Sequence, residues 1–347
     1  MDSTSNSLRS GSGAQLTGTP LTLRTALIAT AFSVFYLLLS AWLIGYKTDQ
    51  LFLVLLFNSL FYLSGTTRRF ILGFTVFIVF WVLFDSMKAF PNYRYNTVHI
   101  AGIYHAEKSW FGIHVSGAAA LAPGQTAAAA PGQTAAAILT PNEYWLVHQH
   151  TFLDIMSGLF YLCWMPLPLA FAGYLFYKNK EAFFRFSLTF LTVNLLGFVI
   201  YYAYPAAPPW YVQQYGFTFN AHTPGNTAGL GRFDSFFHVS VFSALYSKSS
   251  NVFAAMPSLH ASYPLTVLYY GVKYRLRWAN VLFALIMVGI WFAAVYSSHH
   301  YVLDVLAGIT CGLTGIALFN YLYGNVGWVT RFVKGWIRAI SEPMAGL

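Results

Sequence analysis

Apolar positions in this chain come mostly in unbroken stretches. Eight such runs fall at about residues 21–46, 50–64, 70–90, 152–177, 183–204, 257–274, 278–296 and 301–323. Most have the 17–25 residues that cross the hydrocarbon of a bilayer as a helix, the second being short. They are rich in Leu, Phe, Ile and Val and lack the ten-residue alternation of a membrane barrel. A helix also satisfies its own backbone in lipid. The pattern therefore predicts an all-α, multi-pass transmembrane helical bundle of about eight spans.

Composition strengthens this reading. Of 347 residues, 57% are hydrophobic and 8% charged, against roughly a quarter charged in soluble domains. Residues 1–20 read as a flexible polar tail before a retained first span, with no small-residue cleavage site after a short apolar core. Cys163 and Cys311 both lie inside apolar runs, as packed thiols do, and neither a disulfide nor a metal site is called for. The net charge of +9 is scattered between runs, so it implies membrane orientation and no nucleic-acid partner.

With the N-terminus inside and the spans alternating, inner segments hold Arg68, Arg69, Lys178, Lys180, Arg275, Arg277, Arg331, Lys334 and Arg338, among others. All ten histidines then fall on the outer side, so the polar chemistry is expected on the non-cytoplasmic face. Residues 324–347 carry Trp328, Phe332, Val333 and Trp336 at helical spacing, with Arg331, Lys334 and Arg338 on another face. They read as an amphipathic helix on the inner leaflet.

Two outer loops are long, 91–150 and 205–256. The first contains PGQTAAA twice, within a low-complexity insertion at 117–140, too few copies for a solenoid. It ends in NEYWLVHQHTFLD, where His150 and Asp154 are four apart, either a structural pair at a helix entrance or a substrate-facing one. The second opens with PAAPPWY. Its prolines end the fifth helix, and Trp210 and Tyr211 suit the membrane interface.

The densest chemistry lies in AAMPSLHASYP and SSHHYVLD. Pro257 fits the first position of the sixth helix, which puts Ser258 and His260 in its first turn, at an end that attracts anions. A second helix starts near His300, with Asp304 one turn deeper, placed to orient the imidazole. A carboxylate within an apolar run is costly without such a role. Two histidines at helix entrances on one side point to phosphoryl transfer, with His300 as nucleophile and His260 as acid. Arg232 and Asp234 of GLGRFD, and Asp85, Lys88 and Arg94 of FDSMKAFPNYR, supply the charges for holding phosphate and head group. His299 points about 100° from His300 on an ideal helix and reads as a head-group contact or a surface residue.

These motifs resemble the type 2 phosphatidic acid phosphatase superfamily, whose signature runs K-x6-R-P, P-S-G-H and S-R-x5-H-x3-D. PSLH at 257–260 matches the second part with Leu259 for Gly, and HYVLD at 300–304 matches the end of the third. Ala293 and Ala294 stand in place of its Ser-Arg, and Lys88 and Arg94 lack the spacing and the proline of the first part. In their order APPWY, GLGRFD, AMPSLHA and HHYVLDVLAG are similar to the inositol phosphorylceramide synthase branch and its bacterial relatives.

The resemblance implies a six-helix phosphatase-type core and a metal-independent, cofactor-free reaction through a phosphohistidine at His300, with Asp304 as its partner and His260 as acid and then base. A phosphoinositol head would pass from a phosphatidylinositol-like donor to a ceramide-type acceptor, releasing diacylglycerol. Arg232, assisted by Lys88, is expected to replace the missing arginine. Ser258, Arg94, Asp234, Asp85, His150, Asp154, Trp210 and Tyr211 complete the candidate binding set. A lipid phosphate phosphatase using water, and a lipid transporter or binding protein, are the alternatives.

Overall fold

The computed structural model describes residues 21–116, 136–248 and 251–341; the N-terminal tail and most of the PGQT insertion lie outside them. The first two runs form a hairpin of α1 (Leu23–Ile44) and α2 (Thr48–Leu63). Ser64 alone links α2 to α3 (Gly65–Ser86), because its hydroxyl accepts the Thr67 N–H while the Thr67 side chain accepts the Ser64 N–H.

The first outer loop contains α4 (Ala101–Phe111), the strands β1 (Ile113–Ser116) and β2 (Ala136–Leu139), and α5 (Pro141–Val147). β1 and β2 pair antiparallel, so the insertion springs from a short β-ribbon in an otherwise helical chain. Thr140 and Glu143 form a capping box on α5, with Pro141 at its first position.

The fourth run is broken into α6 (Thr151–Leu162) and α7 (Pro166–Lys178), bent by 41°. Pro166 starts α7 and cannot donate the hydrogen bond that would continue α6. After α8 (Lys180–Ala203), the second outer loop carries α9 (Pro209–Tyr215), α10 (Gly231–Phe237) and α11 (Val241–Ser247). The chain then returns through α12 (Leu259–Lys273), α13 (Trp278–Tyr296) and α14 (Val302–Asn325), ending in α15 (Gly327–Ser341).

Among the described residues, five helices, α1, α3, α8, α13 and α14, are long and apolar enough to cross a membrane, and α6 with α7 passes the same test taken together. α2 and α12 have 16 and 15 residues, short of the roughly 20 of a straight crossing. α12 is shorter than the sequence pattern implies because it begins at Leu259 with Ser258 as N-cap. Pro257 therefore precedes the cap, after a cis peptide bond, and is not the first helical residue.

The core is built from α3, α7, α8, α12 and α14, around Phe77, Phe80, Phe183, Phe186, Phe190 and Tyr263. The crossing of α12 with α14 places the site. A Cβ on Gly308 would sit 2.1 Å from the Ser258 carbonyl oxygen, so only glycine lets the helices approach this closely. Ser262 donates to the Gly308 carbonyl at 2.6 Å, and the Ser258 N–H to the Asp304 carbonyl at 2.9 Å. The two helix entrances are thereby locked side by side.

α15 buries Val329, Val333 and Ile340, packs Trp336 on Phe184 of α8, and exposes Trp328, Phe332, Arg331 and Arg338. Its amphipathic pattern thus serves the bundle on one face. Arg68, Arg69, Lys180, Arg275 and Arg277 occur at helix ends and turns on the same side of the bundle as α15. Both long loops emerge at the other.

Candidate active site

The loop-bearing end holds a cavity of about 250 Å³ whose wall includes His260, His299, His300, Lys88, Asp85, Lys248, Asp49, Trp210 and Tyr161. A larger groove, about 530 Å³ between α1, α2 and α3, has no histidine or carboxylate in its lining. Size therefore does not locate the chemistry.

His260 stands in the first turn of α12, and His300 one residue before Tyr301, the N-cap of α14. Their rings meet with His260 Nδ1 3.2 Å from His300 Nε2. His300 Nδ1 faces Asp304 Oδ2 at 3.5 Å, longer than a good hydrogen bond. That oxygen already accepts the Tyr301 N–H at 2.9 Å. His300 Nδ1 and Asp304 Oδ1 are both buried without a hydrogen-bond partner, as is Ser258 Oγ. Such contacts tighten when a substrate binds. The three catalytic candidates are brought together, with Nε2 of His300 as the nitrogen that faces the cavity and His260.

The turn from Ser297 to His300 is held from several segments, and Ser298 adopts φ 60, a left-handed conformation uncommon outside glycine and asparagine. The Trp210 N–H donates to the Ser298 carbonyl at 3.0 Å, the Gly229 N–H to the Ser297 carbonyl at 2.9 Å, and Gln213 Nε2 to Ser298 Oγ at 3.0 Å. His299 lines the cavity and is not a surface residue. It is 5% exposed, stacks on Tyr246 with 4.5 Å between centroids, and its Nε2 lies 2.8 Å from the Thr227 carbonyl. Burial lowers it to about 3, so it is neutral and donates that bond.

Lys88 lines the cavity, paired with Asp85 at 2.5 Å, and Lys248 pairs with Asp49 at 2.9 Å. Arg232 does not line it: its Nε binds Asp154 Oδ1 at 2.5 Å and its guanidinium lies 5.2 Å from the Tyr296 ring centre. Arg232 is thus bound through Nε to a carboxylate outside the cavity wall, while its Nη2 is buried without a hydrogen-bond partner. Arg94 is exposed and also outside the wall.

His150 is the N-cap of α6, its Nδ1 accepting the Phe152 N–H at 3.2 Å. Its ring does not bind the Asp154 carboxylate, whose partners are Arg232 and the Tyr296 hydroxyl at 2.8 Å. Asp234 accepts the N–H groups of Phe242 and Ser243 and so caps α11. Trp210 and Tyr211 are buried together with Phe253 rather than set at a membrane interface; Trp210 reaches the cavity, and the Tyr211 hydroxyl donates to the Thr218 carbonyl.

Protein acceptors occupy the first N–H groups of α14. Tyr301 donates to Asp304, and the N–H groups of Val302 and Leu303 donate to Glu107 at 2.9 and 3.0 Å. Sequence reading missed Glu107, Asn142 and Asn92. Asn142 Nδ2 donates to the carbonyls of Val295 and His300, and Asn92 Nδ2 to those of Tyr201 and Phe253. All three are fully buried. The one available signal was the capping pattern T-P-N-E at 140–143, which placed a helix beside Asn142.

The phosphoinositol dihydroceramide synthase of Bacteroides thetaiotaomicron is 42% identical over 288 residues, covering 82% of this chain and 88% of that protein. The inositol phosphorylceramide synthase of Candida albicans is 32% identical over 178 residues, 49% of this chain and 37% of the relative. The catalytic subunit of the Saccharomyces cerevisiae enzyme is 31% identical over 176 residues, 50% and 43% of the two chains. No solved structure matches the chain. A family profile described as PAP2 superfamily matches residues 136–318, from β2 through most of α14 and including His260, His299, His300 and Asp304. The chain belongs to the PAP2 superfamily.

Proposed function

We propose that this membrane protein transfers a phosphoinositol head from a glycerophospholipid to the primary hydroxyl of a ceramide-type lipid. The observation that carries the reading is the approach of His260 Nδ1 to His300 Nε2 at 3.2 Å, with Asp304 behind His300. His300 Nε2 attacks phosphorus, the bond from phosphorus to the diacylglycerol oxygen breaks, and His260 gives that oxygen its proton. The ceramide hydroxyl then attacks the phosphohistidine, His260 takes its proton, and the N–P bond breaks. Asp304 holds the His300 ring and supports its positive charge.

Lys88 and Lys248 supply positive charge at the wall, and Asp85, Asp49 and Asn251 supply partners for the hydroxyls of a polyol head. The name of the Bacteroides relative, matched along most of both chains, supports a dihydroceramide acceptor over water. The basic residues at the end opposite the cavity support an active site on the non-cytoplasmic face.

The test is product analysis with inositol-labelled phosphatidylinositol and purified protein, with and without dihydroceramide. Label should appear in a sphingolipid product only when the acceptor is present. Release of soluble inositol phosphate at an equal rate without acceptor would favour a hydrolase and overturn the proposal.

A further inference from the structure

Glu107 and Asn142 come from the two short helices of the first outer loop, and both reach the backbone around His300. Asn142 Nδ2 donates to the His300 carbonyl at 2.9 Å and to the Val295 carbonyl at 2.8 Å. The Glu107 carboxylate accepts the next free donors along the chain, Val302 N–H at 2.9 Å on Oε1 and Leu303 N–H at 3.0 Å on Oε2. Both side chains are 0% exposed. Together they grip the chain immediately before and after the turn from His300 into α14, and Asp304 follows directly.

A fully buried carboxylate is expensive. A packing role would be met by an apolar residue of similar volume, whereas a carboxylate across two unpaired N–H groups at a positive helix end is a strong, directional restraint. The restrained angle is the one that sets the separation of His300 Nδ1 from Asp304 Oδ2, 3.5 Å here. A displacement of about 1 Å at such a pair costs on the order of a hundredfold in rate.

We infer that Glu107 and Asn142 are positioning residues that set the His300–Asp304 geometry from the first outer loop, an inference that rests on the phosphotransferase reading above. Neither touches the reacting atoms. The titratable groups that act on Glu107 are Asp304 and Tyr301 at the start of α14, while on its own helix α4 Lys108 donates to Tyr104, whose hydroxyl donates to Glu143 of α5 at 2.8 Å. Burial, with the neighbouring Asp304 charge adding to it, raises the Glu107 carboxyl to about 7. Its ionised form, the better acceptor of two N–H groups, therefore gains population as pH rises through neutrality.

The experiment uses the full-length protein in detergent–lipid micelles. Wild type is measured first, and absence of acceptor-dependent transfer would count against the phosphotransferase reading itself. With transfer established, Glu107→Gln is expected to lower kcat roughly 10- to 100-fold with KM for both lipids within about twofold. The ratio of wild-type to variant kcat should climb between pH 6 and 8 and then level off. Asn142→Asp, which keeps the size but loses both donors, should give the same loss in kcat alone and serves if Glu107→Gln does not fold. A kcat within about twofold of wild type in the folded variants, a ratio that does not change with pH, or parallel losses in kcat and KM would overturn the inference.

Discussion

The chain contains the pattern H-x3-D twice at the same end of the bundle, at His150–Asp154 and at His300–Asp304, and the two do different work. His150 is itself the N-cap of α6, so its ring turns to the Phe152 N–H, and Asp154, in the fourth helical position, reaches Arg232 and Tyr296. His300 lies one residue ahead of the cap of α14, leaving its ring free to face the cavity, while Asp304 at the third position reaches back to Tyr301 and toward His300. A shift of one residue in the helix start separates a cap from a pair whose histidine faces His260. In the first cluster the carboxylate of Asp154 is paired with Arg232 and Tyr296, although Arg232 Nη2 has no partner. In the second, the histidine and the carboxylate each keep a buried polar atom without one.

The largest contrast should come from removing each histidine. His300→Ala is expected to reduce transfer at least about a thousandfold, because it removes the nucleophile of the proposed phosphohistidine route. His150→Ala should change kcat by less than about twofold and cost only a helix cap, about 1 kcal/mol. Radiolabelled transfer assays on the two purified variants decide this; equal losses would dissolve the distinction between the two motifs.

Next in size is the carboxylate. Asp304→Asn keeps the shape but cannot support an imidazolium, and a drop of roughly 10²- to 10⁴-fold in kcat is expected, by analogy with other oriented histidines. Asp154→Asn should keep turnover within a few-fold and lower the melting temperature in detergent. Smaller again is Lys88→Ala, which removes a cation of the cavity wall. About a tenfold or larger fall in kcat/KM for the phospholipid donor is expected, with the acceptor KM unaffected.

Much of this was legible in the sequence, for identifiable reasons. Long apolar runs report spans because lipid leaves a helix few alternatives, so α1, α3, α8, α13 and α14 were all visible. The break between α6 and α7 was marked by Pro166 and Pro168 but hidden by the continuous hydrophobicity around them. His260, His300 and Asp304 were legible because charge at an apolar helix entrance is costly. The partners of Arg232 were not, since residues 78 apart meet only through the fold. Glu107 and Asn142 were invisible for the same reason: each binds backbone more than 150 residues away, and backbone leaves no trace in residue identity. The helical angle set His299 apart from His300 in the sequence, but its burial against Tyr246 and Thr227 could not be read there.

A small effect on turnover is also expected at Arg232, the residue whose place in the sequence made it the foremost cation. Its Nε is bound to Asp154 and its guanidinium lies against the Tyr296 ring on α13, two contacts that tie α10, α6 and α13 together. Arg232→Gln should therefore leave kcat and donor KM within about threefold of wild type while costing about 1–3 kcal/mol of stability, as expected for a largely buried charge-assisted bond. Adding Asp154→Asn should cost little more, since the carboxylate is uncompensated only while the arginine is missing. A donor KM that rises tenfold in Arg232→Gln with the melting temperature unchanged would return this arginine to the phosphate site. That outcome would also mean that the Arg232–Asp154 pair opens when lipid enters, and that the two clusters contrasted here act on one substrate.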